Sequence, residues 1–137
     1  MKISQKLEYA CRAMVQLAKT HDGKSLTRLD DLAQREAVSA NFLVQILNDL
    51  RRAGLIDSRR GASGGYILSR PADQITLRQI VDAVEPSQLQ NTALGQGESG
   101  SAVHRAWESV STKLAADLDA VTLDSLANPP SDPMFYI

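Results

Sequence analysis

Arg59 and Arg60 stand side by side in SRRGASGGYIL, residues 58–68, a stretch that holds three of the chain's eight glycines. Arginine beside glycine suggests phosphate chemistry. The guanidinium forks onto phosphate oxygens, and glycine lets backbone N–H groups approach closely. A nucleotide-binding P-loop needs Lys-Ser/Thr after its last glycine, then a helix. Here Gly65 is followed by Tyr66 and a strand-like run, so that requirement is not met. Two arginines on a hairpin tip, with Gly61, Ser63 and Gly64 beside them, suit the DNA backbone or minor groove instead. The alternative is a solvated hairpin.

A second constellation lies upstream, in LDDLAQREAVSANFLVQIL, residues 29–47. A short helix, a tight turn and a second helix of about 14 residues make a helix-turn-helix. Ala33 is small where the helices must cross, and Val38 and Leu43 can fill the wedge between them. Ser39 is a natural N-cap, so the second helix starts there and points its leading end outward. Ala40, Asn41, Phe42 and Gln45 are the residues expected to be exposed at that end. Asn and Gln each pair twice with one adenine in the major groove. Arg51 and Arg52 close the same helix and can add phosphate contacts, as can Thr27 and Arg28 at the entry to the first one. An ordinary helical hairpin without a ligand is the alternative.

Catalysis finds little support. Cys11 lies in YACRAM, with neither histidine nor proline near it, and the chain has no HExxH, no Ser-His-Asp spacing and no paired-carboxylate motif. A winged helix used only for protein interaction is a further alternative, but the four arginines argue against it.

The elements that must position these residues follow from periodicity. Ser4 caps a helix running to about Thr20, with Leu7, Ala10, Met14 and Leu17 on one face, and Gly23 is expected as its left-handed cap. Thr27 is expected to cap the second helix, whose first turn holds Asp30 and Asp31. Leu43, Ile46, Leu47 and Leu50 form the inner face of the third. LIDSRR and YILSR then form a two-stranded hairpin around GASGG. TLRQIVDAV opens with a capping box, Thr76 to Gln79. Pro86 ends that helix, and residues 86–101 read as a polar loop. From Ala102 a long helix carries Val103, Trp107, Val110, Leu114, Leu118 and Val121 in one stripe near heptad spacing. The fold class is therefore mainly α: a winged helix-turn-helix over 1–85, a loop over 86–101, a long helix and short terminal helix over 102–127, and an irregular tail over 128–137.

Composition agrees. The chain has 137 residues, 43% hydrophobic and 23% charged, enough for one globular core. A single cysteine rules out an internal disulfide and fits a reducing cytoplasm. No apolar run is long enough for a membrane span, and the N-terminus lacks a signal-peptide pattern. Residues 1–76 carry 12 Lys and Arg against 8 Asp and Glu, whereas 77–137 carry 3 against 8. The basic part is the part with the two constellations, as an anionic partner would require.

The segments MKISQKLEYACRAMVQLA, VSANFLVQILNDLRRAGLIDSRRGASGGYILSRP and ITLRQIVDAVE resemble the IscR/NsrR/CymR-type (Rrf-two) family of bacterial transcription regulators. LRRAGLI, the arginine-glycine wing and GGY carry most of the resemblance, which covers residues 1–85 and, more loosely, the long helix. It implies a homodimer on a near-palindromic operator, of repressor type, with Val103, Trp107, Val110, Leu114, Leu118 and Val121 at the dimer interface. It also implies DNA contacts from Ser39, Asn41, Phe42, Gln45 and Arg60. Packing of Trp107 within its own subunit is the alternative to the dimer.

The sequence departs from the family pattern at three places. Ala37 replaces a usual glycine in the turn, where a left-handed alanine costs about 1–2 kcal/mol. The wing reads GASGG rather than GPGGG. Many relatives carry three loop cysteines followed by a histidine and hold an iron–sulfur cluster, but residues 86–103 contain none. Ser99 and Ser101 occupy candidate cysteine positions, His104 matches the histidine, and Glu8 matches a carboxylate that some relatives lend across the dimer. A cluster needs thiolates, which serine does not supply. The expectation is a regulator with no cofactor and no metal, unless the cysteines were substituted, whose signal is a small molecule or a partner protein.

Overall fold

The computed structural model describes residues 2–90 and 94–130. It contains α1 (Gln5–Lys19), α2 (Leu29–Glu36), α3 (Ala40–Arg52), β1 (Ile56–Arg59), β2 (Gly65–Leu68), α4 (Leu77–Val84), α5 (Gly100–Asp119) and α6 (Leu123–Ala127). Short 3-10 turns at Ala72–Gln74 and Pro86–Leu89 join them.

Ser4 caps α1 by accepting the Leu7 N–H, and Thr76 and Gln79 complete the capping box of α4. The apolar faces read from spacing converge on one core. Met14, Leu32, Leu43, Ile46, Leu47, Leu50, Ile56, Ile75 and Ile80 are fully buried there. Burying each such side chain contributes about 1.5–3 kcal/mol. β1 and β2 pair antiparallel, Ile56 with Leu68 through Arg59 with Gly65, and Leu55, Ile56 and Leu68 root the hairpin in the core.

Four expectations are corrected. Gly23 has a positive φ of 81° but does not cap α1, whose C-cap is Thr20. It sits in a turn held by Asp22, whose carboxylate accepts from the Lys24 and Ser25 N–H groups at 2.8 and 2.6 Å and is held below its usual pKa range first by the Ser25 hydroxyl and then by these backbone bonds. Thr27 does not cap α2. Arg28 occupies that position without a capping bond from its side chain, because Thr27 pairs as a strand with Tyr66. α5 begins at Gly100, two residues earlier than its apolar stripe suggests, and a 3-10 turn occupies the start of the expected loop. Val121 lies beyond α5, where its carbonyl accepts the Leu77 N–H at 3.0 Å. Residues 91–93 of the expected loop and 131–137 of the tail lie outside the described residues.

α5 divides along its length. At its C-terminal end Leu118 packs against the core and Asp119 bonds Arg78 at 2.8 Å, which raises the arginine's pKa. At its N-terminal half the stripe is about half-exposed among the described residues: Val103, Trp107 and Val110 are 51%, 56% and 54% exposed.

Candidate nucleic-acid interface

The turn between α2 and α3 is built on Ala37. Its φ and ψ of 56° and 48° are left-handed, so the turn keeps the glycine-type geometry with alanine in place. The turn closes through Val38 N–H to the Ala33 carbonyl at 3.0 Å. From α1, Arg12 donates to the Glu36 carbonyl and lies over the Tyr9 ring, 4.7 Å from its centroid. Tyr9 in turn meets Phe42 edge-on at 5.7 Å.

Ser39 caps α3 as expected, accepting the Phe42 N–H at 3.2 Å. Asn41 and Gln45 are exposed in the first two turns, and Ser39 is exposed beside them. Ala40 and Phe42, expected to be exposed, are half-buried and pack on the core cluster. The aromatic contact with Tyr9 draws Phe42 inward and leaves the leading end of α3 polar. Asn48, which the sequence reading missed, follows Gln45 by three and Asn41 by seven, so the three share one helical face. That spacing was the available signal.

The wing rises from β1 and β2. A Cβ at Gly64 would stand 2.2 Å from the Arg59 carbonyl oxygen, and one at Gly65, where φ is 154°, would stand 2.5 Å from the Thr27 oxygen. Both positions therefore admit only hydrogen. Arg59 and Arg60 are exposed, as are Gly61 and Ser63. Between wing and α3 runs an open groove of about 520 Å³, lined by Arg28, Asn48, Arg51, Arg59 and Arg60 among others. Arg52 lies outside it and pairs with Asp49 at 3.8 Å. The structure thus brings Arg28, Arg51, Arg59 and Arg60, with Asp30 among them, to one concavity beside the later turns of α3. An anionic rod is the ligand that such a cationic, polar groove can take.

The second group of candidates is elsewhere. Ser99 and Ser101 are exposed at the start of α5, and His104 lies 3.4 Å from Glu108. Glu8 is on α1, 3.9 Å from Arg12. Among the described residues no group of three or more His, Cys, Asp and Glu is placed to hold a metal ion. Burial, and secondarily Glu8, pushes the Cys11 thiol up to about 11. The donor set does not fit a thiolate-ligated cluster: the loop has hydroxyls where thiolates are needed, and the one thiol stays protonated on α1. Among the described residues no helix is long and apolar enough to cross a membrane.

A family model described as "Rrf2: Iron-dependent Transcriptional regulator" matches residues 3–129. The transcriptional regulator IscR of Pectobacterium atrosepticum is 32% identical over 132 residues, 93% of this chain and 80% of its own. IscR of Cereibacter sphaeroides is 36% identical over 135 residues, 92% of this chain and 86% of its own. Among solved structures, CymR, the global cysteine regulator of B. subtilis, superposes with a TM-score of 0.80 at 35% identity, over 96% of this chain and 99% of that one. IscR of T. potens superposes at 0.73 and 32% identity, over 99% and 97%. With its fold, its DNA-binding head and these relatives, the chain belongs to the Rrf2 family of DNA-binding transcriptional regulators.

Proposed function

We propose that this chain is a homodimeric, sequence-specific regulator, of repressor type, that binds a near-palindromic operator and has no iron–sulfur cluster and no catalytic role. One observation carries the reading: Asn48 and Arg51 of α3 border a single open groove with the wing arginines, on the helix face that Asn41 and Gln45 continue. Asn41, Gln45 and Asn48 read bases in the major groove, while Arg51, Arg59 and Arg60 hold the phosphates on either side. Ser39, Gly61, Ser63 and Gly64 lend small polar or backbone contacts, and Phe42 and Ala40 support the reading helix from below. The C-terminal part of the chain supplies the dimer, through the exposed stripe of Val103, Trp107 and Val110, which the half-buried Leu114 extends, while Leu118 joins the stripe to the subunit's own core. Exposed apolar patches of this kind mark interfaces, and a two-fold dimer reads a two-fold site.

The cluster is replaced by another signal. Of the vestigial positions Ser99, Ser101 and His104, Ser99 lines an open cavity of about 660 Å³ together with Leu94, Val103 and Trp107 among others, which with Glu8 across the dimer suits a small molecule or a partner protein. The chain acts in the cytoplasm, on double-stranded DNA. A gel-shift titration at physiological salt tests the core of this: one duplex is retained against excess competitor, whereas equal affinity for all sequences contradicts it. Protein purified anaerobically is expected to be colourless and iron-free. Colour with bound iron contradicts the cluster-free assignment.

A further inference from the structure

The wing is tied to the helix-turn-helix along a seam that a two-stranded hairpin does not itself require. Thr27 and Tyr66 exchange two backbone bonds of 2.8 Å, so the residues entering α2 act as a third strand beside β2. Arg28 follows. Its side chain runs along the hairpin and Nη1 donates to the Ala62 carbonyl at 2.9 Å, 34 residues further on. Ala62 belongs to the wing tip, in the turn that Gly64 N–H closes on the Gly61 carbonyl at 3.0 Å. An isolated two-stranded ribbon is marginal in water, and its tip has the least support. Here the wing also carries Arg59 and Arg60, which line the same groove as Arg51. Like charges repel, so an untethered tip would swing outward.

Resting on the DNA-binding reading above, we infer that Arg28 is a positioning residue. It clips the wing tip to the start of α2, and so sets where Arg60 meets the DNA backbone, without contacting DNA itself. Its guanidinium spends a directed bond on a neutral carbonyl, which opposes the repulsion from the other groove arginines.

The test uses the duplex that the wild-type chain selects from a random pool. Binding is measured for wild type, R28M, R60M and the double variant at several salt concentrations. Methionine keeps much of the reach of arginine and removes its donors. R28M and R60M are each expected to weaken binding about tenfold, and the double variant no further than R60M. All three should share one salt slope, lower than that of wild type by about one. Without DNA, amide exchange at Gly64 should be faster in R28M and unchanged in R60M. The inference is overturned if the double variant loses about a hundredfold with the slope lowered by about two, which marks Arg28 as a second phosphate contact. It is equally overturned if R28M binds like wild type, or if Gly64 exchange does not change. Should the wild type select no duplex at all, the DNA-binding reading fails, and Gly64 exchange still decides on the clip.

Discussion

Gln45 and Asn41 project from the first two turns of α3 with their amides free of the core. An amide that makes two bonds to one adenine discriminates by about 1–3 kcal/mol. Replacing Gln45 by alanine is therefore expected to flatten base preference at one operator position by that amount and leave the salt slope unchanged, as read by binding to single-base operator variants. Ala37 offers the opposite kind of test. Its left-handed backbone is strained for alanine, so Ala37→Gly should stabilise the fold by about 1 kcal/mol in a urea melt, with DNA affinity unaffected. Cys11 gives a pH prediction. Its thiol ionises near 9.0 when unfolded and near 11 when folded. Across that window the unfolded chain releases a proton that the folded chain keeps, so stability falls as pH rises from 9.0 towards 11 and is unaffected below. Urea melts in neutral and alkaline buffer should show this loss in the wild type and not in Cys11→Ala.

At the scale of elements, the wing closes on itself at Gly64 and on the entry to α2 at Gly65, because both let backbone pass against backbone. Gly64→Ala would push a carbon to 2.2 Å from the Arg59 oxygen. The wing must then open, so DNA affinity is expected to drop about tenfold while the core, rooted elsewhere, melts nearly as before. Most of this element structure was legible in the sequence. Ser39, the Thr76–Gln79 box and the buried stripe of α3 announced themselves because caps and 3.6-residue spacing are local signals. The Thr27–Tyr66 pairing was not legible. A single bridged residue has no period, and a threonine ahead of a helix reads as a cap unless its partner 39 positions away is known. The inward turn of Phe42 escaped for the same reason, since it depends on Tyr9 in another helix. Asn48 was overlooked among the polar positions on one face of α3, although its spacing to Gln45 and Asn41 was present.

For the whole molecule, charge and shape divide the labour. The part up to residue 76 carries a surplus of four basic residues and the rest a surplus of five acidic ones. This asymmetry favours an approach of DNA to the winged end rather than to α5. The half-exposed Trp107 between Val103 and Val110 is the centre of the face that a second copy would cover. Trp107→Glu is expected to give a folded monomer by sedimentation, with operator affinity down by about a hundredfold because only one half-site is held. All of this depends on one claim: the capped end of α3 and the arginine-tipped wing together read duplex DNA. The most direct measurement is repeated selection of bound duplexes from a random-sequence pool at physiological salt, followed by sequencing. The account predicts enrichment of an inverted repeat whose two halves lie about one helical turn apart. Recovery of a pool with no enriched sequence would contradict it.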